Sequence, residues 1–139
     1  MVFIPVRKAA YWMDSHNAKG TILLVDDEQI VLDVSTLMIK KFGYKVLQAK
    51  TGTEASRIFR DNVEGICLVI LDMKLPDELG SDTCKRIKEI NPDVKILHAS
   101  GLGRTQGGDG LECGCDKFLL KPFSIEELSN KLKDLLEKT

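Results

Sequence analysis

LVILDMKLPDELG, Leu68 to Gly80, is the stretch whose reading decides how this chain folds. Four consecutive apolar residues, Leu68 to Leu71, stop abruptly at a carboxylate, Asp72. Such an unbroken run reads as a strand buried on both faces, the pattern of a parallel sheet covered by helices. Asp72 then stands at the carboxyl end of that strand, and Pro76 and Gly80 mark a loop before the next helix. Ligands of open α/β sheets bind in the crevice outside the carboxyl ends of the strands. On this stretch alone, Asp72 is either a turn cap or an acid placed for chemistry.

The same pattern precedes it. Gly20 opens TILLVDDE, in which Ile22 to Val25 form a second buried run ending in Asp26, Asp27 and Glu28. From Gln29 onward, Ile30, Val31, Val34, Leu37, Met38 and Phe42 recur at three- and four-residue spacing and predict the apolar stripe of a helix. Gly43 stands where a left-handed C′ residue closes such a helix. Tyr44 to Ala49 reads as a short strand enclosing Val46 and Leu47. Thr51 with Glu54 fits a capping box, and Ala55, Ile58 and Phe59 give the second helix its stripe.

Downstream of Asp72 the alternation continues. A helix is predicted from about Ser81 to Ile90, with Cys84, Ile87 and Ile90 on one face and Asn91-Pro92 as its stop. Val94 to Ser100 is the fourth strand and Lys117 to Leu120 the fifth. Between them, GLGRTQGGDGLECGCD holds six glycines. Each costs about 1 kcal/mol relative to alanine in a helix interior, so only a short, weak helix is expected there. Ser124 with Glu127 is another capping box, followed by Ile125, Leu128, Leu132, Leu135 and Leu136. Strands alternating with helices require parallel pairing and right-handed crossovers. The expected fold class is α/β, a doubly wound five-stranded parallel sheet, most often ordered 2-1-3-4-5 in this size range.

Composition bounds the function. The 139 residues suit one domain, expected at 21–139 behind a tail or linker at 1–20, where Trp12 stands among polar neighbours. With 20 basic and 21 acidic residues the net charge is −1, which gives no bulk reason for direct nucleic-acid or membrane binding. No apolar run approaches transmembrane length. Val2 to Val6 precede Arg7 and Lys8, the reverse of a secretory signal. Cys67 and Cys84 fall in apolar patterns, and Cys113-Gly-Cys115 lacks the second ligand pair a zinc site needs. The reading is a cytoplasmic domain with reduced thiols.

In that strand order the first and third strands are neighbours, about 4.8 Å apart, so Asp26, Asp27 and Asp72 crowd at one end of the sheet. Two carboxylates about 4 Å apart repel by roughly 4 kcal/mol at an effective dielectric of about 20. Hard oxygen ligands of this kind suit Mg²⁺. Lys121 lies at the carboxyl end of the fifth strand, two strand spacings from Asp72, a gap its long stem can largely close, and Ser100 ends the fourth strand between them. Acid, metal, hydroxyl and amine around one carboxylate suit phosphoryl transfer to Asp72.

From about Lys19 to Lys138 the chain resembles a receiver domain of the bacterial two-component response regulators, a flavodoxin-like fold. The motifs that carry the resemblance are LLVDDE (Leu23 to Glu28), VILDMKLP (Val69 to Pro76), HASG (His98 to Gly101) and FLLKPF (Phe118 to Phe123). The resemblance implies that Asp72 accepts a phosphoryl group from a histidine kinase or a histidine phosphotransfer domain. It implies that Asp27 and Asp72 bind Mg²⁺ with the main-chain carbonyl of Lys74, Asp26 assisting through water. Ser100 and Phe118 would be the switch pair that alters the face of the fourth helix and fifth strand. Lys121 would contact the phosphoryl oxygens, with Lys121-Pro122 cis. Lys74 and Leu102, two residues after acceptor and switch hydroxyl, imply slow loss of the phosphoryl group. A homodimer is compatible with the resemblance.

Two other classes stay open at this point. Magnesium-dependent hydrolases also use a strand-end aspartate nucleophile, but they carry a second acid where this chain has Lys74. An interaction module that is never phosphorylated would not need Asp26, Asp27, Asp72, Ser100 and Lys121 together. KGTILLVDDE resembles receivers fused behind hybrid sensor kinases, and VFIPVRK is similar to the last strand of a kinase's ATP-binding domain. The expectation is a signalling phosphoacceptor cut from such a hybrid, with a stand-alone regulator as the alternative.

Overall fold

The computed structural model describes residues 19–101 and 117–137. Five strands, β1 (Thr21–Val25), β2 (Lys45–Ala49), β3 (Ile66–Asp72), β4 (Lys95–Ser100) and β5 (Lys117–Leu120), form one parallel sheet ordered β2-β1-β3-β4-β5. The helices described are α1 (Gln29–Lys41), α2 (Gly52–Asp61), α3 (Gly80–Ile90) and α4 (Ile125–Leu132), and a π-helical turn, Lys133–Glu137, extends α4. The expected doubly wound topology is present. The expected tail through Ala18, the glycine-rich helix, Leu102, Cys113 and Cys115 lie outside the described residues. No helix among the described residues is long and apolar enough to cross a membrane.

Successive side chains of a strand face opposite sides. Leu23, Val25, Val69 and Leu71 therefore join Ala55 and Phe59 of α2 and Cys84 and Ile87 of α3 in one core. Ile22, Leu24, Leu68 and Ile70 meet Leu32 and Ile39 of α1 and Leu128 and Leu132 of α4 in the other. Both faces of β1 and β3 are covered, which is why each reads as an unbroken apolar run. Burying one such leucine or isoleucine fully is worth roughly 2 kcal/mol.

The helix ends follow their local chemistry. Thr51 Oγ1 accepts from the Glu54 amide at 3.0 Å, while the Glu54 carboxylate accepts from Lys50 N at 2.8 Å, one residue upstream of its expected partner. Ser124 and Glu127 complete a reciprocal box at 3.0 and 2.9 Å. Gly43 has φ 96°, the left-handed conformation expected of it.

The expected stripe of α1 is corrected. Ile30, Val34 and Leu37 point away from the sheet, Ile30 being 72% and Leu37 66% exposed. The buried positions are Leu32, Ser35 and Ile39, with Met38 and Phe42 partly covered. Apolar residues run around much of α1, so three- and four-residue spacing fits two stripes equally well. Ser35 marks the side packed against the sheet, and a hydropathy count scores it against that side.

Candidate functional site

Register builds the site. Val25 of β1 pairs with Leu71 of β3, so Asp26 and Asp72 leave the sheet side by side. Asp72 pairs with Ala99 of β4, and Ser100 pairs with Leu120 of β5, which brings Ser100 and Lys121 to the same edge. Asp26, Asp27 and Asp72 each offer an oxygen within 4.8 Å of the others. Asp26 is buried and Asp27 exposed, while the Asp72 carboxylate lines a cleft of about 560 Å³. Ser100 and Lys121 line it too, and Ile30, Val34 and Met38 of α1 form an apolar wall.

Lys121 Nζ lies 2.7 Å from Asp26 Oδ2 and 3.4 Å from Asp72 Oδ2. The sequence reading aims this lysine at Asp72, yet its shorter contact is with Asp26. It bridges two acids that would otherwise repel. Burial raises the Asp72 carboxyl above its usual range; the Lys121 charge pulls it back and the Asp26 charge raises it again. For Lys121, burial would lower the ammonium, but the hydrogen bond to Asp26 and the charges of Asp72 and Asp26 raise it on balance.

A pH dependence follows from that direction. A group raised on folding contributes stability that is complete below its unfolded value, about 10.4 for lysine, and is lost as pH rises through the folded value. Metal-free melts across alkaline pH are expected to show a loss of stability that is smaller in Lys121→Met than in the parent.

Smaller contacts orient the acids. Asp26 Oδ1 accepts from Glu28 N at 2.9 Å, and Asp72 Oδ1 accepts from Lys74 N at 3.3 Å. Ser100 is 1% exposed, and its Oγ has no hydrogen-bond partner among the described residues. A buried hydroxyl left unpaired costs about 1–3 kcal/mol, so this donor is available to an incoming acceptor. Phe118 is half-buried and packs edge-to-face on the buried ring of His98, centroids 5.8 Å apart. The Lys121-Pro122 peptide is cis, as the resemblance implies.

Four residues that matter here, Asp77, Glu78, Arg86 and Gly80, are absent from the sequence reading or only marginal in it. Asp77 Oδ1 accepts from Gly52 N at 2.8 Å, and its Oδ2 accepts from Thr53 N at 3.0 Å and Thr53 Oγ1 at 2.9 Å. Glu78 accepts from Thr83 Oγ1 and Arg86, and Arg86 Nε donates to Ser56 Oγ at 3.2 Å. The partners of Asp77 lie 24 and 25 residues away in the chain, where no local spacing could reveal them. Gly80, expected only as a loop marker, is the first residue of α3 and donates to the Met73 carbonyl at 2.8 Å.

Comparison with known proteins agrees with this geometry. The sequence model described as response regulator receiver domain matches residues 22–133. The phosphate regulon transcriptional regulatory protein PhoB of Pseudomonas aeruginosa is 33% identical over 122 residues, which cover 86% of this chain and 52% of that protein. Histidine kinase P4 of Formosa agariphila is 32% identical over 125 residues, covering 86% of this chain and 9% of the kinase. A solved receiver domain protein from Clostridium thermocellum matches with TM-score 0.79 at 31% identity, over 85% of this chain and 94% of that one. The chain spans about half the length of curated regulators such as PhoB. Both the match from β1 into the helical end and the shared sheet order lead to one statement: the chain belongs to the response regulator receiver domain family of two-component systems.

Proposed function

We propose that the chain takes a phosphoryl group from a phosphohistidine donor, a histidine kinase or a phosphotransfer domain, onto Asp72. The observation that carries the reading is the carboxylate itself. It faces a cleft, has two further acids within 4.8 Å, and sits beside a shared ammonium and a buried hydroxyl with no partner among the described residues. Asp72 Oδ attacks phosphorus as the bond to the imidazole nitrogen breaks, and the imidazole leaves with that electron pair. Lys121 can turn from Asp26 toward the incoming oxygens, and Ser100 Oγ donates to one of them.

A divalent cation fits the donor set. Three hard carboxylate oxygens close together, one of them on an exposed side chain, match Mg²⁺, which keeps water and takes one or two carboxylates. Asp27 and Asp72 would hold it with the Lys74 carbonyl, and Asp26 would assist. Bound there, Mg²⁺ supplies positive charge against the phosphoryl oxygens. The apolar wall of Ile30, Val34 and Met38 beside Asp72 supports a docking surface for the donor protein. Movement of Ser100 would release Phe118 from its packing on His98 and so alter the face around β5. The resemblance of KGTILLVDDE to fused receivers supports an origin within a hybrid kinase of the cytoplasm.

Incubation with acetyl phosphate and Mg²⁺ tests the reading. One phosphoryl group per chain, stable to acid and labile to base, is expected. Continuous turnover would indicate a hydrolase, and no labelling would indicate an interaction module. Mg²⁺ should also stabilise the unphosphorylated domain. At about ten times the dissociation constant the gain is about 1.4 kcal/mol, read as a raised melting midpoint. Equal midpoints with and without the metal would contradict a site at Asp26, Asp27 and Asp72.

A further inference from the structure

Asp77 is exposed, yet it takes three hydrogen bonds from the first two residues of α2. That helix already has a cap of its own, since Thr51 Oγ1 accepts from Glu54 N. Asp77 therefore adds a tie between elements, on amides that a helix start leaves without intrahelical partners. The loop it belongs to is closed on itself. Lys74 and Leu79 form an antiparallel bridge, Leu75 N donates to Glu78 O at 3.1 Å, and Gly80 N donates to Met73 O at 2.8 Å. A loop tied this way moves as one piece. Its near end also orients the acceptor, because Lys74 N donates to Asp72 Oδ1 at 3.3 Å.

We propose that Asp77 is a positioning residue for phosphoryl acceptance: it pins the acceptor loop to the N-terminus of α2 and thereby sets the Lys74 main chain and the Asp72 carboxylate. The inference rests on the reading of Asp72 as acceptor and Lys74 O as a metal ligand. Glu78 supplies a second tie, from the loop to Arg86 of α3, which in turn donates to Ser56 of α2. Asp77 carries the tie at the loop tip. Desolvation raises its carboxyl, but the hydrogen bonds from Gly52 and Thr53 together outweigh that and lower it to about 2, so the tie persists in weak acid.

The test uses Asp77→Ala and Asp77→Asn in the full chain, with Ser124→Ala as a control that loses a helix cap with no bond to the loop. In metal-free protein, amide exchange at Lys74, Leu75 and Gly80 is expected to quicken about tenfold in Asp77→Ala. Titration calorimetry should show Mg²⁺ affinity weakened by roughly tenfold, the scale seen when an outer-shell partner is removed. Labelling should slow severalfold at limiting Mg²⁺, and a smaller slowing should persist at saturating Mg²⁺, where only the displaced Asp72 carboxylate is left to cause it. Asp77→Asn should recover part of both effects, because its carboxamide oxygen still accepts. Exchange and affinity within about twofold of the parent, or equal shifts in Ser124→Ala, would overturn the proposal. A parent that neither labels nor binds Mg²⁺ would instead count against the acceptor reading, while the metal-free exchange would still decide the tie.

Discussion

Asp72→Asn is expected to reduce labelling by acetyl phosphate to background while the far-UV spectrum stays native. The side chain lies at the strand end, and the cores on both sides of the sheet do not depend on its charge. Its carboxyl is raised on folding, so it favours the folded state below the unfolded value and opposes it once pH passes the folded one. At neutral pH the ionised form is therefore a net cost to the metal-free domain. The variant should melt higher than the parent without Mg²⁺ and gain less from adding it. Lys121 keeps its 2.7 Å contact with Asp26, so the substitution leaves no stranded cation. Labelling of the variant at the parental rate would remove Asp72 from the chemistry.

Gly80→Ala should have the largest effect on stability. A Cβ at this position would collide with the Asp72 carbonyl oxygen and come within 2.8 Å of Met73 Cα, both backbone atoms that no rotamer change can move. Either β3 or the start of α3 must shift. Overpacking of this kind costs about 3 kcal/mol, or roughly 10 °C in melting midpoint for a domain of this length. Because the displaced atoms carry the acceptor, labelling should slow as well. A matched Gly65→Ala, whose Cβ would approach nothing closer than 3.8 Å, should be close to neutral. Equal midpoints for the two variants would show that the approach at Gly80 is not tight.

The contrast between these glycines shows what a single sequence can and cannot reveal. Gly80 is visible as punctuation, but its reason is a contact with the strand end that comes with the tertiary fold. β1 and β3 were legible because both faces are buried, which leaves a signature of consecutive apolar residues. The acids followed, since each begins where an apolar run stops and parallel register fixes their neighbours. The orientation of α1 was not legible. Its exposed Ile30, Val34 and Leu37 keep the same spacing as a buried stripe, and the buried Ser35 breaks the hydropathy pattern on the true side. The preference of Lys121 for Asp26 was hidden too, because strand ends fix where a lysine starts and not which of two nearby carboxylates it meets. Asp77 needed the fold itself, which brings the acceptor loop against the start of α2.

The central claim is that Asp72 carries the phosphoryl group, and reductive trapping tests it most directly. Borohydride reduces an acyl phosphate to the alcohol, so a phosphorylated aspartate becomes homoserine. The protein would be treated with acetyl phosphate and Mg²⁺, reduced, digested and sequenced by mass spectrometry. Homoserine is expected at position 72, with unmodified aspartate at Asp26, Asp27 and Asp77. Homoserine at one of those three, or a stable phosphoryl group on a hydroxyl such as Ser100, would contradict it.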